Sequence, residues 1–207
     1  MRILIAVPCA DQVSAGFVQS LVMLKTDGET TVRLMPGSLI YENRNRLASL
    51  AIQMDAELVL WLDSDMVFEP DLPEKLYADI ADGHDIVTGL YFGRRYPYFP
   101  VIYKKAGFED GVAVCEGYDA YPTDGLFEVA GCGFGAVLMK TEVLRTLEER
   151  YDNWFAPFIG FGEDLSFCIR ARECGYTIVC DPSVKPGHIG NVTVTEKYHK
   201  VVNKGNP

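Results

Sequence analysis

The sequence predicts an α/β fold built on an open, mostly parallel sheet, with a smaller antiparallel portion after it. Three observations carry this reading. Short apolar runs alternate with helical patterns through the first ninety residues. Arg2–Val7 and Glu57–Leu62 are apolar on both faces, as strands covered by helices on both sides must be. From Gly93 the texture changes to Tyr, Phe, Pro and Gly, and short alternating segments replace the strand–helix rhythm.

The elements follow in order. Arg2–Val7 reads as a first strand closed by Pro8, and Val13, Phe17, Leu21 and Leu24 recur at near-helical spacing, predicting a helix over 12–25 that ends at Asp27-Gly28. Thr30–Leu34 is short and β-branched, a second strand. Leu47, Leu50, Ala51 and Met54 give the next helix its buried stripe, with Asn43 or Asn45 near its start. Glu57–Leu62 is the third strand and Asp85–Leu90 the fourth; between them a helix entered through Pro70-Asp71-Leu72-Pro73 buries Leu72, Leu76 and Ile80. Beyond Gly93, residues 100–104 and 112–115 read as short antiparallel strands. Leu126–Val129 and Gly135–Met139 flank the turn Gly131-Cys132-Gly133-Phe134-Gly135. A charged helix lies near 141–150, another opens at Gly162-Glu163-Asp164 and ends at Gly175, and Thr177–Cys180 is a late strand. One Rossmann-like domain over 1–190 is expected, its first half about 1–92 and its second about 93–190, with a polar C-terminal tail over 191–207.

Of 207 residues, 19 are Lys or Arg and 29 Asp or Glu, a net charge of −10. That balance excludes gripping nucleic acid or an anionic membrane by bulk charge, because both need a positive field. An anionic ligand must be held by a local device. No apolar run approaches the ~18 residues of a membrane span. Six scattered cysteines form no Cys-x-x-Cys pair and read as small core hydrophobes in a reducing cytoplasm, the expected location.

The candidate chemistry begins at Asp63-Ser64-Asp65. With 15 aspartates an Asp-x-Asp arises about once by chance, so the motif matters only through its place at the carboxyl end of an apolar strand, where open α/β sheets put their ligand crevice. Two acids there repel unless a cation sits between them and the ligand, and a divalent cation bridging them to a diphosphate would let an acidic protein hold an anion. The plainer alternative is a solvated turn that caps the next helix. Glu163-Asp164 follows an apolar, glycine-bearing loop that could exclude water around a general base. It could equally be a pair of acids complementing a helix dipole, which would lower the carboxylate's pKa. His188, between two glycines, is a satisfied structural histidine or the nitrogen ligand of a mixed Asp/His site for Mn²⁺ or Mg²⁺. His84 and His199 read as surface residues.

Arg44 and Arg46 lie near a helix start, where cations oppose the dipole, so one of them needs a phosphate or a carboxylate as partner. Arg94-Arg95 could meet a phosphate or an acceptor. The Gly131–Gly135 cluster lacks the spacing of a dinucleotide fingerprint; it lets a backbone pass close to a sugar ring or makes a tight connection.

Together, the strand ending Leu62-Asp63-Ser64-Asp65, the Gly131–Met139 segment, and Gly162-Glu163-Asp164 with Arg170 and Gly175 resemble the GT-A-fold glycosyltransferases, close to the family-2 type. The resemblance implies a GT-A fold and a metal-dependent transfer from a nucleoside-diphosphate sugar to a carbohydrate or other acceptor hydroxyl, with inversion. It implies Asp164 as catalytic base with Glu163 supporting it, and Asp65, His188 and Asp63 as ligands of Mn²⁺ or Mg²⁺. Pro8, Arg46, Asp63, Ser64, Asp65 and Gly133 would bind the nucleotide sugar, with Glu29 or Arg33 bordering the nucleoside. No Gln-x-x-Arg-Trp motif follows Asp164, which favours a single transfer over polymerisation. Two alternatives stay open: a nucleotidyltransferase, although Ala10–Gly16 supplies no Gly-rich phosphate loop, and a non-catalytic nucleotide- or carbohydrate-binding module.

Overall fold

The computed structural model describes residues 1–191 and Glu196. The expected tail over 191–207, His199 included, falls outside the described residues apart from Asn191 and Glu196. The chain runs β1 (Arg2–Cys9), α1 (Ala15–Met23), β2 (Glu29–Pro36), α2 (Ile40–Gln53), β3 (Leu58–Leu62), β4 (Met66–Val67), α3 (Leu72–Ala81) and β5 (Ile86–Gly89). It continues through β6 (Ile102–Glu109), β7 (Val112–Gly117), β8 (Phe127–Glu128), β9 (Gly131–Cys132), β10 (Ala136–Lys140), α4 (Thr141–Glu148), α5 (Glu163–Glu173), β11 (Ile178–Asp181) and β12 (Gly187–His188).

Seven strands form the central sheet in the order β2-β1-β3-β10-β5-β11-β8. β1 is parallel to β2 and β3, and β5 is parallel to β11. β10 runs antiparallel between β3 and β5, and β8 antiparallel to β11. The expected mixed α/β sheet is therefore present, but it is not divided at 92/93: strands from both halves of the chain share it. β6, β7 and β9 make a separate antiparallel sheet, and β4 pairs with β12.

Alternation along the central strands separates two cores. Val59 and Trp61 of β3 face α2, α4 and α5, packing with Leu47, Leu144 and Phe167. Leu58, Leu60 and Leu62 face α1 and α3, packing with Phe17, Leu72 and Leu76. Both faces of the strand are dry, which is why its sequence carries no polar alternation.

Helix boundaries differ from expectation at the starts of α1 and α2. α1 is shorter than 12–25 because Ser14 caps it, its Oγ accepting from the Phe17 N–H at 3.0 Å. α2 begins at Ile40, three residues before Asn43, and neither asparagine caps it. Asn43 Nδ2 donates to the Cys9 and Gly37 carbonyls, and Asn45 Oδ1 accepts from the Phe155 N–H at 2.9 Å, so both tie the helix to distant loops. Of the cysteines, Cys9, Cys132, Cys168 and Cys180 are buried as expected, but Cys115 is exposed on β7. Among the described residues no helix is long and apolar enough to cross a membrane.

Leu60 is fully buried mid-sheet. Leu60→Ala should destabilise the protein by about 2–5 kcal/mol, read as a lower urea midpoint with an unchanged m-value.

Candidate active site

The carboxyl ends of β1 and β3 open into a hollow of about 460 Å³, lined among others by Pro8, Asp63, Ser64, Asp65, Glu163, Asp164 and His188. Residues distant in sequence meet there because of two pieces of topology. Asp63–Asp65 continue β3 beyond its last buried residue, Leu62. The short β4–β12 ladder sets His188 opposite Met66, and the Ile189 N–H bonds the Asp65 carbonyl at 2.8 Å. Glu163 and Asp164 form the first turn of α5, which has no side-chain cap of its own.

Arg44 is the centre of the charge arrangement. Its side chain is 1% exposed and its Nη2 donates to Asp63 Oδ1 at 2.9 Å. The same nitrogen stands 3.2 Å from Asp164 Oδ1, and Nε stands 3.7 Å from Glu163 Oε1. Behind it, the Phe134, Phe155 and Trp61 ring centroids lie 5.2, 5.8 and 5.9 Å from the guanidinium carbon. Burial alone would lower the Arg44 pKa, but Asp164, Asp63 and Glu163 outweigh it and hold the group charged.

Asp164 is anchored through Oδ2, which accepts from the Phe134 N–H at 3.3 Å, whereas Oδ1 makes no hydrogen bond. Burial pushes its carboxyl up, against the pull of Arg44, and the neighbouring charges of Glu163 and Asp63 add to the rise, to about 7. The helix N-terminus led the sequence reading to expect a lowered pKa; desolvation and two like charges win instead. Tyr91 lies beside this group, its Oη accepting from the Gly135 N–H at 3.1 Å, and burial followed by Asp63 and Asp164 raises its phenol.

Asp65 belongs to a second cluster. Its Oδ2 meets Arg94 Nη1 and lies 3.4 Å from His188 Nε2. His188 Nδ1 is 3.0 Å from the Phe92 carbonyl, which can only accept, so Nδ1 carries a proton; a second proton on Nε2 lets the ring donate to Asp65 Oδ2, and a cation bound through Nε2 would have to displace that proton. The hydrogen bond to Asp65 raises the His188 pKa. Burial works to raise Asp65, but His188 and Arg94 outweigh it and hold the carboxyl below its usual value.

Among the described residues no group of three or more His, Cys, Asp or Glu side chains forms a ready metal cage. Asp65 Oδ2 and His188 Nε2 are nonetheless a fitting pair of donors. Neighbouring ligands of a six-coordinate Mg²⁺ at about 2.1 Å stand about 3 Å apart, close to the separation seen here, and such ions commonly take their remaining ligands from water and phosphate. Asp63 has its Oδ1 committed to Arg44 and is not part of that pair.

The other expected residues divide. Pro8 and Ser64 line the hollow. Arg46 does not: it is exposed, since two positions along a helix point to opposite faces, and Arg44 is the arginine that faces the carboxylates. Gly133 is buried away from the hollow, where a Cβ would come within 2.0 Å of Tyr91 Oη and 2.7 Å of Val101 Cγ1. It is a packing glycine. Neither Glu29 nor Arg33 borders the hollow; Gly37, Ser38 and Ile40, after β2, take that place. The sequence led one of Arg44 and Arg46 to be expected with a phosphate or carboxylate partner; that it is Arg44, and that the carboxylate is Asp63, comes from the structure.

No protein-family model matches this sequence, and no curated protein matches it. Solved structures do. The chain superposes on A197 from STIV with a TM-score of 0.61 at 21% identity, over 95% of this chain and 97% of that one. It superposes on GalNAc-T7, crystallised with UDP, GalNAc and Mn²⁺, with a TM-score of 0.60 at 13% identity, over 98% of this chain and 47% of that one. The fold is GT-A. At these identities the likeness is one of fold, and the chain spans about half the length of GalNAc-T7.

Arg44→Met leaves three carboxylates facing one another over an aromatic floor. At pH 7.5 it should cost about 3–5 kcal/mol in urea denaturation, and the loss should shrink toward pH 5 as the folded state takes up protons the unfolded chain does not hold.

Proposed function

We propose that this protein is a metal-dependent glycosyltransferase that moves a sugar from a nucleoside diphosphate to an acceptor hydroxyl, in a single displacement with inversion. The observation that carries the reading is the convergence of Asp164, a half-buried carboxyl raised to about 7, with Asp65 and His188 on one hollow at the sheet's carboxyl edge. The GT-A fold, shared with a protein that holds UDP and Mn²⁺, supports it.

In this reading Pro8, Cys9 and Gly37 flank the nucleoside, and Ser64 borders the diphosphate. Asp65 and His188 would hold a divalent cation, which would supply positive charge against the leaving diphosphate. Asp164 takes the proton of the acceptor hydroxyl as its oxygen bonds to the anomeric carbon. The bond from that carbon to the diphosphate oxygen breaks, and its electron pair leaves with the nucleoside diphosphate. A carboxyl titrating near neutrality is suited to this work, half ionised and basic enough to accept the proton. Arg44 keeps Asp63 and Asp164 in register without touching the reacting atoms. The free cysteines accord with a reducing cytoplasm.

The first test is thermal. UDP with Mn²⁺ should raise the melting temperature well beyond either alone, through mass action on the folded state, and a flat response across nucleoside diphosphates with Mn²⁺ or Mg²⁺ would sink the reading. The second uses Asp164→Asn, which should lower transfer by about 10²–10⁴ while leaving the UDP·Mn²⁺ shift in place. The same variant should be more stable than the parent at pH 8. The folded carboxyl titrates near 7 and the unfolded one near 3.8, so the parent binds extra protons when folded and loses stability as pH climbs between those values. Melting curves of both proteins from pH 4 to 8 should therefore diverge upward, and parallel curves would refute the raised pKa.

A further inference from the structure

Asp65 already has a cation, and it occupies the oxygen that the metal reading requires. Arg94 Nη1 meets Asp65 Oδ2, the oxygen that faces His188 Nε2. A guanidinium hydrogen bond and a metal bond compete for that lone-pair region. Resting on the reading of Asp65 and His188 as cation ligands, we propose that Arg94 is a placeholder cation. It neutralises Asp65 in the donor-free protein, yields that oxygen to the divalent ion, and turns to the donor's diphosphate.

The two arginines of the site are built for different tasks. Arg44 is 1% exposed and boxed by three rings, whereas the Arg94 side chain is 48% exposed and stands over no ring among the described residues. Arg94's backbone is nevertheless held. Its turn is closed by the Gly93 N–H bonding the Phe99 carbonyl at 2.8 Å, and its neighbour Phe92 accepts from His188. Gly190 packs against it so closely that a Cβ there would stand 2.7 Å from the Arg94 carbonyl. A fixed backbone with a free side chain lets the charge move while staying beside the site.

Room for that movement is present. Arg94 lines both the 460 Å³ hollow and an adjoining one of about 340 Å³, which it shares with Asp65, Arg95, Ile189 and Asn191. Charge supplies the direction. Before the donor binds, the nearest unbalanced anion is Asp65; once a divalent ion and a diphosphate are in place, the phosphate oxygens offer a planar, bidentate partner that a carboxylate already bound to metal does not. In a chain of net charge −10, a second cation for the diphosphate answers a need that one metal ion does not fully meet.

The proposal predicts opposite signs for two ligands. Arg94→Gln should bind Mn²⁺ in the absence of nucleotide about three- to tenfold more tightly than the parent, by electron paramagnetic resonance of free Mn²⁺, because a competing half-exposed cation has gone. With Mn²⁺ saturating, the same variant should bind UDP about tenfold more weakly by calorimetry, having lost a charge-assisted contact. Arg94→Lys should keep UDP affinity within about threefold of the parent, since it preserves the charge. An arginine that merely braced the loop would weaken both ligands when removed, so weaker or unchanged Mn²⁺ binding, or unchanged UDP binding, in Arg94→Gln overturns the proposal. A parent protein that binds neither Mn²⁺ nor UDP overturns the glycosyltransferase reading with it; a parent that binds both while Arg94→Gln behaves identically overturns the placeholder alone.

Discussion

One buried guanidinium makes this site possible. Asp63, Glu163 and Asp164 come from two distant segments of the chain and would repel one another at the mouth of the sheet; Arg44 stands between them with almost no access to water. Its own burial is tolerable because the rings of Trp61, Phe134 and Phe155 line its other side and its charge is matched. Those rings come from β3, from the turn after β9, and from the loop that Asn45 and Arg170 hold in place through hydrogen bonds to the backbone of residues 154–156. Core packing and site electrostatics are therefore one arrangement.

The second cluster is assembled differently. Asp65 and His188 are joined by the two-residue β4–β12 ladder, and Arg94 reaches them from the turn after β5. Met66 of β4 is fully buried and the Tyr91 ring packs edge-on against His188, while the Arg94 side chain is half exposed.

Asp164 shows how burial overrides a local rule. The first turn of a helix favours an ionised carboxylate, and the Phe134 N–H favours it further, yet the carboxyl rises to about 7 because desolvation and two neighbouring acids act against ionisation. Stability is lost as pH climbs toward neutrality, because the folded carboxyl holds its proton more tightly than the unfolded one.

Much of this was legible in the linear chain. Runs such as Arg2–Val7 and Glu57–Leu62 determined central strands, because only a strand dry on both faces tolerates no polar alternation, and the place of Asp63 and Asp65 at a strand's end determined where a ligand would approach. What the tertiary structure alone decided was partnership. Nothing local distinguishes Arg44 from Arg46, Gly133 from a sugar-contacting glycine, or Asn43 from a helix cap; each was settled by a neighbour dozens of residues away. The insertion of β10 between β3 and β5, antiparallel to both, is likewise invisible in its five residues, because strand order is chosen by how the remaining layers close over the sheet rather than by the strand's own side chains.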